Sequence, residues 1–312
     1  MGYLGLQDAT RKRRLNSQTP GEWTGSKSVT IPHLGLFVTV SQKKWDKAKG
    51  IIESLLVEFE SESDLPDLTL KELEQKVGFL VYLAMAYPLM MPFLRGFYLT
   101  MNSWREGRDK QGWKLPAAAY EAMMAETTGN GSWKCPVHSA KYRGPEKVKA
   151  SSLLFEHLSA LEALFKSEEP TLRLIRGASI VEAAYVFGDA SGEGFGSSWV
   201  DKEGAIGFRF GVWGKEGDNS SSNYREFRNL IETLERLGEL GELAGREVFL
   251  FTDNSVSESI AAKGSSSSPK LYQLVVRFFR LEMKYLCKLE IIHVAGTRMI
   301  AQGTDGLSRG DM

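Results

Sequence analysis

The chain has 312 residues, 42% of them hydrophobic and 25% charged, a balance that fits a globular protein of about two domains and excludes a disordered or low-complexity chain. Its 39 basic and 39 acidic residues cancel, so net charge does not announce a nucleic-acid binder, although residues 1–150 carry 21 Lys and Arg against 16 Asp and Glu and the remainder 18 against 23. Two cysteines, Cys135 and Cys287, exclude a disulfide framework and make a reducing intracellular setting, nuclear or cytoplasmic, the default.

In chain order, Tyr3–Leu6 reads as a strand, and Arg11–Arg14 as a solvated turn or a phosphate contact, reached without the apolar segment of a signal peptide. Ile31–Val40 reads as a strand. Ser41 then partly caps a helix whose apolar face is Trp45, Ala48, Ile51, Ile52, Leu55 and Leu56. A second helix begins near Thr69, Pro88 and Pro92 break it, and Phe93–Trp104 continues as a further helical piece. Val77–Met91 is the most apolar run, but it is too short to span a bilayer and holds Pro88, so no membrane partner is expected. Residues 105–150 are irregular, with one helix at Ala117–Ala125, and Leu153–Phe165 is amphipathic. Cys135-Pro-Val-His138 offers half a zinc site with no second pair near it, so zinc is not expected.

From residue 182 the pattern turns to strands. Tyr185–Phe187 ends a strand at Asp189, among Gly188, Gly192, Gly194 and Gly196, which leave bare backbone for a metal ion and a phosphate or simply form a hairpin. Phe195–Val200 follows, then Ile206, Phe208, Phe210 and Val212 at period 2, then a helix at Asn223–Leu237. Val248–Phe251, continuously apolar, reads as a central strand covered on both faces. Pro269–Leu286 is a long amphipathic helix, Leu289–Val294 a last strand, and a short helix from about Asp305 closes the chain. The fold class is α/β, a mixed five-stranded sheet with flanking helices, preceded by a mostly helical region.

Four carboxylates sit at the ends of these elements. Asp253 follows a buried strand as Asp189 does, Glu226 opens the helix between them, and Asp305 opens the last helix. If the first and fourth strands lie side by side, all four converge at one sheet edge. Two carboxylates about 4 Å apart repel by roughly 4 kcal/mol at an effective dielectric of about 20, so such a cluster calls for protonation or a divalent cation. Oxygen-only ligands favour Mg²⁺, with Mn²⁺ as a substitute. Each residue also has a plainer reading: Glu226 as a capping-box acid after Asn223, Asp253-Asn254 as a helix cap, Asp305 as a partner of a helix dipole.

Gly188-Asp189-Ala190-Ser191, Arg225-Glu226, Thr252-Asp253-Asn254 and Gly303-Thr304-Asp305-Gly306-Leu307-Ser308-Arg309 together resemble the four signatures of a retroelement RNase H domain, and the combination is most similar to DIRS-type retrotransposons. The resemblance covers residues 182–312 and implies an RNase H-like fold, two Mg²⁺ ions, and hydrolysis of the RNA strand of an RNA–DNA hybrid. It implies that Asp189 bridges both ions, that Asp305 helps hold the one activating water, that Glu226 and Asp253 hold the other, and that Asn254 contacts nucleic acid. Residues 1–104 resemble the palm end and thumb of a reverse transcriptase, with Leu94-Arg95-Gly96-Phe97-Tyr98 in keeping, and 105–181 a connector. No adjacent Asp-Asp pair of a polymerase palm occurs, so no polymerase activity is expected, and a polymerase half, upstream or on a separate chain, becomes a candidate partner. Many enzymes of this family carry a histidine in the loop before the last aspartate, after a glycine. Thr297 holds that place here, which implies slow turnover.

Lys270, Arg277, Arg280 and Lys284 fall within about 80° on the helix Pro269–Leu286, a phosphate-tracking or merely solvated face. The alternative to an enzyme is a nuclease-inactive nucleic-acid-binding or connection-type domain from a decayed or domesticated element.

Overall fold

A computed structural model of the protein describes residues 21–23, 26–60, 68–109, 111–127, 144–177, 182–214 and 220–310. The expected strand at Tyr3–Leu6, the run Arg11–Arg14, and Cys135 with His138 lie outside these residues.

Strands β1 (Gly21–Trp23), β2 (Ser26–Ile31), β3 (Gly35–Val40) and β4 (Arg173–Gly177) form an antiparallel sheet in that order. The single strand expected at Ile31–Val40 is therefore half of a hairpin. Pro32 has no N–H for a ladder, and the chain reverses through His33 at φ 65° and Gly35 at φ 131°. Helices α1 (Gln42–Glu60), α2 (Leu70–Ala84), α3 (Arg95–Asn102), α4 (Ala117–Thr127) and α5 (Ser152–Leu164) follow, with short 3₁₀ turns at Pro88–Met90 and Pro92–Leu94 where proline interrupts α-helical bonding. Thr69 and Glu72 cap α2 reciprocally: the Glu72 N–H donates to Thr69 Oγ1 and the Thr69 N–H to Glu72 Oε2. Trp45, Leu55, Leu80, Phe93 and Phe97 are fully buried, and α5 adds Leu154, Leu158 and Leu161 to the same core.

The remaining elements are β5 (Ala183–Ala190), β6 (Gly194–Val200), β7 (Ile206–Val212), α6 (Ser222–Glu239), β8 (Glu247–Thr252), α7 (Ser255–Lys263), α8 (Pro269–Tyr285), β9 (Lys288–His293), α9 (Gly296–Gln302) and α10 (Thr304–Arg309). The sheet order is β7-β6-β5-β8-β9, antiparallel across β7, β6 and β5 and parallel across β5, β8 and β9. Val186, Val248 and Leu250 face Phe227, Leu230, Leu234, Leu274 and Phe278 from α6 and α8. Strand β8 is central, as expected, but covered on one face only: Phe249 and Phe251 are half-buried on the other, stacked with Tyr185 and Phe187. The stretch before Asp305, read as a loop, is largely α9.

A buried polar relay joins the two cores. The Gly96 N–H donates to His157 Nδ1 at 2.9 Å, so the ring proton sits on Nε2 and is given to Tyr272 Oη at 3.0 Å; the Tyr272 hydroxyl in turn donates to the Pro92 carbonyl at 2.6 Å. Burial lowers the His157 pKa to about 4. The unfolded chain therefore binds a proton between pH 6.5 and 4 that the folded chain refuses, and stability falls as pH drops through that window. Relative to His157→Gln, the wild type should lose on the order of 3 kcal/mol between pH 6.5 and 4. Urea unfolding at several pH values checks this; parallel curves for the two proteins would remove the assignment.

Candidate active site

Strands β5 and β8 are parallel neighbours with Phe187 opposite Phe251. Two residues further on, each strand end delivers a carboxylate, Asp189 and Asp253. Asp189 is 8% exposed, whereas Asp253 is open to solvent.

Helix α6 is fastened over this end by Asn229, whose Nδ2 donates to the carbonyls of Asp189 and Gly196, both at 2.9 Å. Its Oδ1 accepts from Ser197 and from Arg209. Glu226, nearly one turn earlier, thereby reaches Asp189 and Asp253. On the opposite face of the sheet lies α10. Ser308 Oγ donates to Asp189 Oδ2 at 2.6 Å, which draws Asp305, three residues earlier, into the same region. Asp305 also pairs with Arg309 at 2.9 Å.

The glycines around Asp189 have other work than sparing room for a ligand. A Cβ on Gly188 would lie 2.6 Å from Leu230 of α6, and one on Gly196 would lie 2.5 Å from Leu307 and 2.8 Å from the Ser308 nitrogen of α10. These two let helices close onto the sheet. Gly192 alone faces open space.

Burial, followed by the charges of Asp253 and Asp305, raises the Asp189 pKa, while the Ser308 hydroxyl opposes the rise. Burial again, followed by the charges of Asp253 and Asp189, pushes Glu226 up to about 7. Glu226 Oε2 is buried without a partner. All four groups are oxygen donors, and an orphaned buried carboxylate oxygen beside two repelling neighbours suits a hard divalent cation. Among the described residues, no group of three or more His, Cys, Asp or Glu side chains stands together so as to hold a metal ion in this structure.

The plainer readings of these residues resolve differently. Ser221 caps α6, so Glu226 lies past the capping-box position. Asn254 does cap α7, accepting from the N–H groups of Val256 and Ser257. Its Nδ2 donates to Asn223. Asn254 is 8% exposed.

The basic face of α8 is likewise divided. Arg277 makes a two-pronged pair with Glu235 of α6, and Arg280 pairs with Glu156 of α5, so both help dock helices. Lys270 is exposed, and the Lys284 ammonium lies 5 Å or less from the Tyr285 ring, at 4.8 Å. His293, at the end of β9, is exposed, with Nε2 3.1 Å from the Asp253 carbonyl. Thr297 is exposed in the first turn of α9, next to Gly296, where a Cβ would lie 3.1 Å from Asp253 Oδ2.

Sequence reasoning did not single out Asn229 or Ser308. Asn229 is a polar residue on the otherwise apolar face of Phe227, Leu230, Ile231 and Leu234, and that break in pattern is its signal. Ser308 was visible only as part of a motif.

The strand order and mixed pairing, with helices on both faces, make the fold of residues 182–310 RNase H-like. No protein-family model matches the sequence, and no curated protein does. Among solved structures the chain is similar to RNase H1 from the halophilic archaeon Halobacterium salinarum NRC-1, at 22% identity and TM-score 0.33, over 41% of this chain and 95% of that one. It is similar to LC11-RNase H1 in complex with an RNA/DNA hybrid, at 20% identity and TM-score 0.33, over 40% and 91%. It is also similar to a foamy viral protease-reverse transcriptase in complex with double-stranded DNA, at 9% identity and TM-score 0.27, over 86% of this chain and 38% of that one. No described helix is long and apolar enough to cross a membrane.

Proposed function

We propose that the protein hydrolyses the RNA strand of RNA–DNA hybrids, as the RNase H part of a retrotransposon reverse transcriptase of DIRS type, and that a polymerase half on the same or another chain is its partner. The carrying observation is that Asp189 and Asp253 end adjacent parallel strands while α6 and α10 bring Glu226 and Asp305 to them from opposite faces.

Two divalent cations, Mg²⁺ or Mn²⁺, would be held by Asp189, Glu226, Asp253 and Asp305, and when bound they supply charge stabilisation and an acidified water. The chain's own contribution is preorganisation. Asn229 fixes the backbone at Asp189, and burial of Asp189 and of Glu226 Oε2 keeps bulk water from screening them. Contacts to 2′-hydroxyls across a wide minor groove would select RNA.

A second reading, a nuclease-inactive binding module, is favoured by the finding that, among the described residues, no group of three or more His, Cys, Asp or Glu is placed to hold a metal ion. The two separate on one assay. A 5′-labelled hybrid incubated with Mg²⁺ should yield internal cuts with 5′-phosphate and 3′-hydroxyl ends, abolished by chelator; hybrid retention without cutting at any Mg²⁺ or Mn²⁺ concentration would select the binding module.

Thr297 can hydrogen-bond but cannot carry a proton near pH 7 as imidazole does. Its neighbour Gly296 abuts Asp253, so a histidine at 297 stands within reach of the site. Thr297→His should raise multiple-turnover cleavage, by up to about 10²-fold where proton transfer limits the rate, and leave the metal dependence unchanged. Equal multiple-turnover rates in two folded proteins would contradict the assignment of Thr297 to the histidine's place.

A further inference from the structure

We infer that Ser308 is a positioning residue that sets the Asp189 carboxylate for cation binding and latches α10 to the sheet; this rests on the metal site proposed above. Ser308 is 1% exposed, and its single hydroxyl proton has two acceptors in reach: Asp189 Oδ2 at 2.6 Å and the Asp305 carbonyl at 2.9 Å. The second is the local bond any helical serine can make to its preceding turn. The first is shorter and runs to a carboxylate, the geometry of a charge-assisted bond, and both partners are buried, where such a bond is strongest. This hydroxyl is what holds the Asp189 carboxylate in one orientation.

The same residue is clamped through its backbone. Ser191 Oγ accepts from the N–H groups of Glu193 and Gly194, at 3.1 and 3.0 Å, which leaves its proton for the Ser308 carbonyl at 2.8 Å. The Ser308 nitrogen lies only 2.8 Å from where a Cβ on Gly196 would be. The turn between β5 and β6 thus holds Ser308 in place, and Ser308 holds Asp189. Because Asp305 lies on the same turn of α10, one residue fixes the spacing of two carboxylates on different elements. A helix packed by apolar contact alone would leave the Asp189 carboxylate free to rotate away from a cation.

The two clasps separate by mutation. Ser308→Ala removes the bond to Asp189 and keeps the backbone clasp; Ser191→Ala removes the clasp and keeps the bond. Mn²⁺ binding to the full chain is measured by calorimetry, together with thermal unfolding and amide exchange over residues 304–309. Second-layer partners of metal ligands are worth about 10–100-fold in affinity, so Ser308→Ala should fold, keep its α10 protection, and bind Mn²⁺ at least about 10-fold more weakly. Ser191→Ala should lose α10 protection with a smaller change in Mn²⁺ affinity. A folded Ser308→Ala that binds Mn²⁺ as the wild type does would overturn the positioning role and leave the metal site standing. Equal losses of protection and affinity in both variants would make Ser308 merely structural and also overturn it. A wild type that binds no Mn²⁺ would overturn the metal site itself.

Discussion

Asp253→Asn and Asp189→Asn should each lower hydrolysis of an RNA–DNA hybrid by at least about 10³-fold, because a lost cation ligand removes several kcal/mol of transition-state charge stabilisation. Neither should unfold the protein. Asp253 is exposed, and its replacement relieves repulsion with Glu226; Asp189 accepts its hydrogen bond from Ser308, which an amide oxygen also can. Hybrid affinity should stay within a few-fold of wild type, since phosphate and sugar contacts carry most of it. Filter binding and single-turnover cleavage on the same preparations check both halves. Cleavage near the wild-type rate in either variant would remove the carboxylate assignment.

Gly196→Ala should also disable the site, without touching any ligand. Its Cβ would fall 2.5 Å from Leu307 Cβ and 2.8 Å from the Ser308 nitrogen, and the latter is backbone that cannot swing aside. Helix α10 must lift from β6, carrying Asp305 and Ser308 away from Asp189. Overpacking of this kind costs about 1–3 kcal/mol, and a displacement of about 1 Å at reacting groups costs about 10²-fold in rate. Gly192→Ala, which meets nothing, is the matched control and should be near wild type in both. Comparable activity in the two variants, with α10 amides equally protected, would mean that α10 does not need its close seat on the sheet.

Much of this arrangement was legible in the sequence because it is written in local pattern. An apolar run ending in aspartate placed Asp189 and Asp253 at strand ends, and the helical spacing of Phe227, Leu230, Leu234 and Leu237 set Glu226 near the start of the intervening helix. Pairing between β5 and β8 was only one arrangement that the alternation of strands and helices allowed, and it is the parallel register of the two strands that brings Asp189 and Asp253 together. What sequence did not show depends on partners far away along the chain. Arg277 and Arg280 share a face with Lys270, but the acids that engage them, Glu235 and Glu156, lie 42 and 124 residues off, and only packing brings them together. The glycines near Asp189 read as space for a ligand because nothing local reveals that α6 and α10 press on Gly188 and Gly196. The cap that Asn254 makes on α7 is visible locally, but its bond to Asn223, 31 residues away, is not. Likewise, Gly96, within the run Leu94–Tyr98, accommodates His157, whose ring would be 2.6 Å from a Cβ there.

The most direct measurement of the central claim is strand-resolved cleavage. A hybrid carrying different labels on its RNA and DNA strands, a matching DNA duplex and the single-stranded RNA are incubated with the protein and Mg²⁺. The account predicts cutting of the RNA strand in the hybrid alone, lost in Asp253→Asn and lost on chelation. Cutting of the DNA strand, cutting of free RNA at the same rate, or an intact hybrid in the presence of folded protein and Mg²⁺ would contradict it.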